Sequence, residues 1–282
     1  MATLTLPAPA KLNLFLHILG RRDDGYHNLQ TVFQLLDYGD ELTFSPREDG
    51  EIRLLADLSG VDTADNLITL AASKLKQHRN SPYGVDIKLA KRLPLGGGLG
   101  GGSSDAATTL LALNQLWQCG LSEDQLAAIG SDLGADVPVF IRGRSAWAEG
   151  AGDKLQAIDL LEIYYLVITP DCQVSTAAIF SHPELTRASA AITVAAFFKQ
   201  GGRNDCQPLV KKLYPEVKAA LDWLTDKSPA NSRTLMTGTG ASVFTSFNTE
   251  SAATALLAQC PWPGFVAKGI NQSPVHQRLA KL

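Results

Sequence analysis

Apolar and polar positions alternate in short runs through the first third of the chain and fall at helical spacing in longer ones. After a Pro-Ala-Pro entry, Leu12, Leu14, Leu16 and Ile18 alternate with Lys11, Asn13, Phe15 and His17, predicting a strand from Pro7 to Leu19 with Lys11 and Asn13 on one face. Taken alone, that pair is the solvated face of an edge strand. Asp24-Gly25 marks a turn into a second strand, Leu29 to Leu36, with Tyr26 and His27 just past it; by spacing alone these are ordinary turn residues. Third and fourth strands, Glu41 to Phe44 and Glu51 to Leu55, continue an antiparallel pattern. Asp65-Asn66 then precedes Leu67, Ile68, Leu70, Ala71 and Leu75, a helix that ends before Pro82. Val85 to Leu89 alternates like a strand, and Ala107, Leu110, Leu111, Asn114 and Trp117 share one face of a helix. Ser122 with Gln125 makes a capping box for a short helix ending near Gly134.

Beyond about Leu160 the organisation changes. Tyr164 to Thr169 reads as a strand, Ser175 to Phe180 as the start of a short helix, Ala188 to Lys199 as a variable helical segment and Pro208 to Asp226 as a longer helix. Strands at Thr234 to Met236 and Ala241 to Phe247, a helix at Glu250 to Gln259 and a strand at Phe265 to Gly269 follow. With the variable segment set aside, the order is β-α-β-β-α-β, the split βαβ or ferredoxin-like order. The glycines of Thr237-Gly238-Thr239-Gly240, between its middle strands, permit a tight hairpin or close approach to a ligand. Leu155 to Leu160 is the best domain boundary.

The densest chemical signal lies between these halves. Six of the seven positions from Gly96 to Gly102 are glycine, and the run empties into Ser103, Ser104 and Asp105 before the helix. Such a loop lets backbone N–H groups converge on one anion, with the unpaired N–H groups of the following helix pointing the same way, so it predicts a phosphate cradle. A flexible linker is the alternative, but a linker would not be flanked so tightly by strand and helix. A Walker loop needs Gly-Lys-Ser/Thr at its end, and Gly102 is followed by Ser103. Gly96, Gly98 and Gly101 satisfy G-x-G-x-x-G, yet the acidic residues further on, Glu123 and Asp124, open a helix rather than end a strand, which counts against a dinucleotide fold. Asp136, ahead of Val-Pro-Val-Phe, is either a turn or cap aspartate or a buried carboxylate in need of a cation.

At 282 residues and 45% hydrophobic content the chain suffices for one large or two ordinary domains, and a formal charge of -3 gives no reason to expect nucleic acid or a membrane. Cys119, Cys172, Cys206 and Cys260 lack C-x-x-C spacing, which argues against disulfides or zinc and leaves reduced thiols in the cytoplasm as the expectation. The MATLTLPAPAK start lacks a basic region followed by an apolar one, and no apolar run approaches ~18 residues.

Pro9-Ala10-Lys11-Leu12-Asn13-Leu14, the block from Pro94 to Ser104, and Thr237-Gly238-Thr239-Gly240 resemble, in this order, the three motifs of the GHMP kinases, the superfamily of galactokinase, homoserine kinase and mevalonate kinase. Most members carry a shorter G-L-G-S-S form. The doubled glycine block, with Asp23-Asp24-Gly25-Tyr26-His27 and Gly134-Ala135-Asp136-Val137-Pro138, is similar to the branch of the family whose substrate is a cytidyl diphosphate sugar alcohol in non-mevalonate isoprenoid synthesis. The resemblance implies a two-domain α/β (α+β) fold: a ribosomal-protein-S5-like ATP-binding domain over residues 1–158, and a ferredoxin-like domain over residues 159–282 that completes the substrate cleft. It implies an ATP-dependent phosphotransferase passing the γ-phosphoryl to the substrate's 2-hydroxyl, with Mg2+ accompanying ATP. Its partners are then small molecules, without nucleic acid or membrane, and the chain a monomer or homodimer.

By motif position, Lys11 and Asp136 carry over as the catalytic pair. Pro94, Leu95, Gly96, Gly97, Gly98, Leu99, Gly100, Gly101, Gly102, Ser103 and Ser104 would hold ATP, with Asn66 and Lys91 as walls of the adenine pocket. Asn13, Tyr26, His27, Thr176, Phe180, Gly238 and Gly240 would contact the substrate, Phe180 facing Tyr26 across the cytosine. The hydroxyls of Ser103 and Ser104 are candidate magnesium ligands. Either Asp136 takes the hydroxyl proton while Lys11 offsets charge on the transferring group, or Lys11 acts on the hydroxyl directly and Asp136 orients it. A homoserine- or mevalonate-type kinase is the nearest rival, and Tyr26-His27 argues against it because those substrates offer no base to stack on. An inactive nucleotide-binding regulator would show the loss of Lys11 or Asp136, and both are present.

Overall fold

A computed structural model describes residues 3–55, 66–79 and 81–281; Asp65, predicted with Asn66 to open the first helix, lies outside the described residues. Strands β1 (Leu4–Arg21) and β2 (His27–Arg47) pair antiparallel along their length, joined by a turn in which Gly25 takes a φ of +86°. The predicted break between the second and third strands is absent. β2 runs straight through Asp37-Tyr38-Gly39-Asp40, and Gly39 lies so close to β1 that a Cβ there would sit 2.0 Å from the Ala8 carbonyl oxygen.

The edge-face reading of Lys11 and Asn13 is also overturned, since both are buried. Register shifts at Pro9/Lys11, Asn13/Leu16 and Ile18/Gly20 break the simple alternation. The second half of the chain covers the edge: Leu16 N–H donates to the Arg203 carbonyl (2.9 Å) and Asp205 N–H to that of Leu16 (2.8 Å).

Next come β3 (Ile52–Leu55), α1 (Leu67–Arg79) and β4 (Gly84–Ala90). β3 pairs with β4 in parallel, not antiparallel as the alternation suggested, because the helical crossover between them returns the chain in the same direction. β4 pairs antiparallel with β2. After the glycine loop follow α2 (Gly101–Leu116), α3 (Glu123–Ser131) and α4 (Val137–Arg142). α2 begins inside the glycine run, so Ser103, Ser104 and Asp105 form its first turns rather than its lead-in. The Ser122–Gln125 capping box is present. α4 was not expected: its proline is tolerated at the helix start, where no N–H is needed, and Asp136 occupies the cap position. A hairpin missed in the sequence, β5 (Ala146–Gly150) and β6 (Lys154–Ala157), adds to β2 at Leu29–Phe33.

The remainder comprises β7 (Tyr164–Ile168), α5 (Thr176–Ser181), α6 (Val194–Gln200), α7 (Gln207–Leu213), α8 (Pro215–Lys227), β8 (Leu235–Met236), β9 (Val243–Phe247), α9 (Glu250–Leu257), β10 (Gly264–Ile270) and α10 (Pro274–Leu279). The single helix predicted from Pro208 to Asp226 is two, divided at Tyr214-Pro215, where proline disfavours helical backbone in the residue before it. Strand order β10-β7-β9-β8, all neighbours antiparallel, realises the predicted β-α-β-β-α-β order. Gly269 and Ile270 of β10 pair with Leu36 and Leu35 of β2, so hydrogen bonding runs unbroken across both halves.

One buried cluster centres on Leu35, Phe44, Ile68, Ile87 and Leu110 of the first half and another on Leu166, Val210, Leu221, Leu224 and Val243 of the second, while a third packs Leu12, Leu36 and Leu99 against Tyr165, Val167 and Phe244 across the seam. Each such side chain contributes roughly 1.5–3 kcal/mol relative to exposure.

Candidate active site

The glycine loop spans the gap between β4 and α2. Gly96, Gly98 and Gly100 have φ of +67°, +73° and +71°, the left-handed region open to glycine. At Gly98 proximity adds to conformation, for a Cβ there would lie 2.3 Å from the Thr237 carbonyl oxygen. Lys11 N–H donates to the Leu99 carbonyl (3.0 Å), which ties the loop to β1. The loop and the N-terminus of α2, whose first N–H groups have no partner within the helix, wall a cavity of about 350 Å³ closed by Asn66, Leu67 and Lys91.

A second cavity, about 440 Å³, is lined by Lys11, Asn13, Tyr26, His27 and Asp136 from the first half and by Thr176, Phe180 and Gly238 from the second. The two cavities meet at Gly98, Gly100 and Ser103, which line both.

Lys11 stands beside this junction. Its ammonium is buried and must be compensated, and three oxygens surround it: Asn13 Oδ1 at 2.6 Å, the Gly98 carbonyl at 2.9 Å and an Asp136 carboxylate oxygen at 3.3 Å. Asn13 N–H in turn donates to the Thr237 hydroxyl oxygen (3.0 Å), and that hydroxyl donates to Gly98 O (3.1 Å). The three motifs, remote in sequence, are thus one hydrogen-bonded assembly. Asn204 Nδ2 holds the Thr237–Gly240 turn through the Met236 and Gly238 carbonyls, both at 2.7 Å, and the Thr176 and Thr239 hydroxyls share a bond of 2.8 Å. Asp136, one-third exposed at the start of α4, presents its carboxylate to the cavity instead of capping the helix.

Lys91 bridges two carboxylates, Asp40 of β2 at 2.6 Å and Asp105 of α2 at 2.9 Å. Burial alone would lower its pKa, but Asp105 and Asp40 outweigh that and hold it above the ordinary lysine value. Its ammonium is committed to the wall of the cavity. Asn66 enters the same wall as the cap of α1, its side-chain oxygen accepting from Ile68 N–H (2.9 Å).

At the far end of the larger cavity, the His27 ring packs on Phe180 with centroids 5.1 Å apart and planes at 37°. Burial first, then Arg187 and Arg21, lowers the His27 pKa from its ordinary value. Tyr26, 65% exposed, lines the same cavity as Phe180. Two expectations change. The Ser104 hydroxyl is fully buried, lines neither cavity and has no partner among the described residues, while Gly240 lies behind the cavity that Gly238 and Thr239 line. Cavity-lining residues that the sequence reading placed in a strand but not in the site include Leu29, Thr31 and Phe33, which continue from His27 along one face of β2. Their spacing of two was the available signal. Among the described residues no group of three His, Cys, Asp or Glu side chains could hold a metal ion, and no helix is long and apolar enough to cross a membrane.

Two cavities joined beneath a glycine loop, with a lysine and a carboxylate at the junction, define a phosphotransferase site. The chain belongs to the GHMP kinases: residues 66–144 match the GHMP kinases N terminal domain and residues 184–261 the GHMP kinases C terminal. Within that family, a 4-diphosphocytidyl-2-C-methyl-D-erythritol kinase of Pseudomonas aeruginosa (strain LESB58) is 57% identical over 281 residues, covering 99% of this chain and 98% of the relative. The protein of the same name from Nitrosococcus oceani is 55% identical over 280 residues, covering 99% of both. A crystal structure of 4-(cytidine 5'-diphospho)-2C-methyl-D-erythritol kinase superposes with a TM-score of 0.80 at 32% identity, over 95% of this chain and 100% of that one. The mevalonate kinase of Methanococcus jannaschii, at a TM-score of 0.66 and 16% identity, shares the fold.

Proposed function

We propose that this chain is the kinase that transfers the γ-phosphoryl of ATP to the 2-hydroxyl of 4-diphosphocytidyl-2-C-methyl-D-erythritol, giving the 2-phosphate and ADP in isoprenoid precursor synthesis. The observation that carries the reading is the meeting of the two cavities at Gly98, Gly100 and Ser103 beside Lys11 and Asp136. ATP occupies the glycine-loop side, its phosphates received by backbone N–H groups of the loop and of α2. The cytidyl diphosphate occupies the larger cavity, its base against Tyr26, His27 and Phe180 and its methylerythritol hydroxyl toward Asp136.

The acceptor oxygen attacks the γ-phosphorus, the bond to the β,γ-bridging oxygen breaks and ADP leaves, while the hydroxyl proton passes to the Asp136 carboxylate. The buried Lys11 ammonium offsets charge on the transferring group, and fixed positions for both reactants supply much of the acceleration. Mg2+ fits this donor set as a nucleotide-borne ion: the Ser103 hydroxyl and the Asp136 carboxylate are oxygens near the junction that would hold it, and it would supply neutralisation of phosphate charge. A division near residue 158, into an ATP-binding half and a ferredoxin-like half that completes the cleft, is supported by the sheet order, in which β7 to β10 form the ferredoxin-like set and β1 to β6 pair among themselves.

The test is ATP consumption by purified protein with magnesium, offering the cytidyl compound, homoserine and mevalonate in parallel. Turnover with the cytidyl compound alone is expected. Equal turnover with homoserine or mevalonate, or none with any of the three, would overturn the assignment.

A further inference from the structure

Arg187 lies outside the motifs and outside both cavities, yet every nitrogen of its guanidinium is engaged at the seam between the halves. Nε donates to Nε2 of His27 (3.1 Å), across the cleft on β2. One terminal nitrogen donates to the carbonyls of Phe180 (2.8 Å) and His182 (2.7 Å) at the C-terminal end of α5, and the other to that of Leu185 (3.3 Å). A guanidinium has donors only, so Nε2 of His27 must be the acceptor and the ring proton resides on Nδ1. A cation beside the carbonyls of a helix C-terminus is favourably placed as well. Phe180 is consequently held at two points, its backbone carbonyl by the guanidinium and its ring by the tilted imidazole.

We infer that Arg187 is a positioning residue for the nucleobase end of the larger cavity: it sets the tautomer of His27 and holds α5 against β2, so that the base enters between walls already in place. The inference rests on reading that cavity as the one that takes the cytidyl group. A floating α5 would have to be ordered by the substrate, and the cost would fall on that substrate's binding alone. The nucleotide side of the site touches neither α5 nor Arg187.

Two measurements test it. In the native protein, long-range 1H–15N correlation, with the ring signals assigned through His27→Gln, is expected to show a pyridine-like Nε2 and a pyrrole-like Nδ1; the reverse pattern would overturn the inference. In kinetics, Arg187→Met is expected to raise KM for the cytidyl substrate on the order of tenfold, the loss of a charge-assisted hydrogen bond, while KM for ATP and kcat stay within about twofold. Arg187→Lys keeps the charge but cannot reproduce the planar set of donors, so it should recover only part of the loss. An equal change in both KM values, no change in either, or full recovery with lysine would overturn it. Absence of turnover in the native enzyme would instead refute the proposed function, and the nitrogen spectrum would still decide the tautomer.

Discussion

Replacing Lys91 with methionine tests how the wall of the nucleotide cavity is held. The ammonium stands 2.6 Å from Asp40 and 2.9 Å from Asp105, and removing one partner of a buried ion pair costs roughly 3–5 kcal/mol. The two carboxylates left behind are not equivalent. Asp40 Oδ1 accepts from the N–H groups of Arg92 (2.6 Å) and Leu93 (2.8 Å), whereas Oδ1 of Asp105 has no partner among the described residues. Burial raises the Asp105 pKa to about 7 in the intact protein, with Lys91 opposing the shift and Asp40 adding to it.

The native state therefore binds a proton at Asp105 more tightly than the unfolded chain, which releases it near 3.8. Between those values the native state binds more protons, so stability falls as pH rises, by up to about 1.4 kcal/mol per pH unit. Above about pH 7 the intact protein stops losing stability from this source. Without Lys91 the acid stays protonated to higher pH and the loss continues. Above about pH 7 the gap between the two proteins should therefore widen as pH rises, read as a growing difference in thermal midpoint. Adding Asp105→Asn to Lys91→Met should remove the widening, because an amide has no proton to hold. Scanning fluorimetry across that range reads all three proteins. Parallel curves for native and Lys91→Met, or a double variant that still diverges, would refute the reasoning.

Two further substitutions separate the halves of the site. Tyr26→Ala should raise KM for the cytidyl substrate by about 5- to 150-fold, corresponding to a stacking contribution of roughly 1–3 kcal/mol, and leave KM for ATP nearly unchanged; an equal rise in both would count against a base-binding role. Gly98→Ala and Gly96→Ala both force alanine into a left-handed conformation, but only at Gly98 does the new Cβ meet backbone, 2.3 Å from Thr237 O, with nothing within 4 Å at Gly96. Steady-state kcat/KM for ATP should accordingly fall at least about tenfold further in Gly98→Ala than in Gly96→Ala; equal losses would mean that the loop's contact with Thr237 is immaterial.

Much of this was legible in the sequence because it is local. Periodicity located α2 and the ferredoxin-like strands, and the glycine run announced an anion site. What stayed hidden depends on distant partners or masked periods. Lys11 and Asn13 do share one face of β1, but the glycine loop, Asp136 at the start of α4 and the Thr237 turn pack over it, and the oxygens that compensate Lys11 come in part from the first two of these. Pro138 hid α4, although proline at a helix start breaks nothing, whereas Pro215 marked a helix boundary that the apolar period running through it masked. Lys91, expected as a wall of the nucleotide pocket, lines that cavity, but the two carboxylates that hold it there, Asp40 and Asp105, lie on other elements and no local pattern joins them to it. Arg187 carried no motif at all, and only the folded chain brings it to His27.

The central claim is that Asp136, beside Lys11 where the cavities meet, takes the acceptor's proton. The measurement that reaches it most directly is kcat of Asp136→Asn with both substrates saturating. The account predicts a fall on the order of 10²- to 10⁴-fold with both KM values little changed; a fall of less than about tenfold would contradict it.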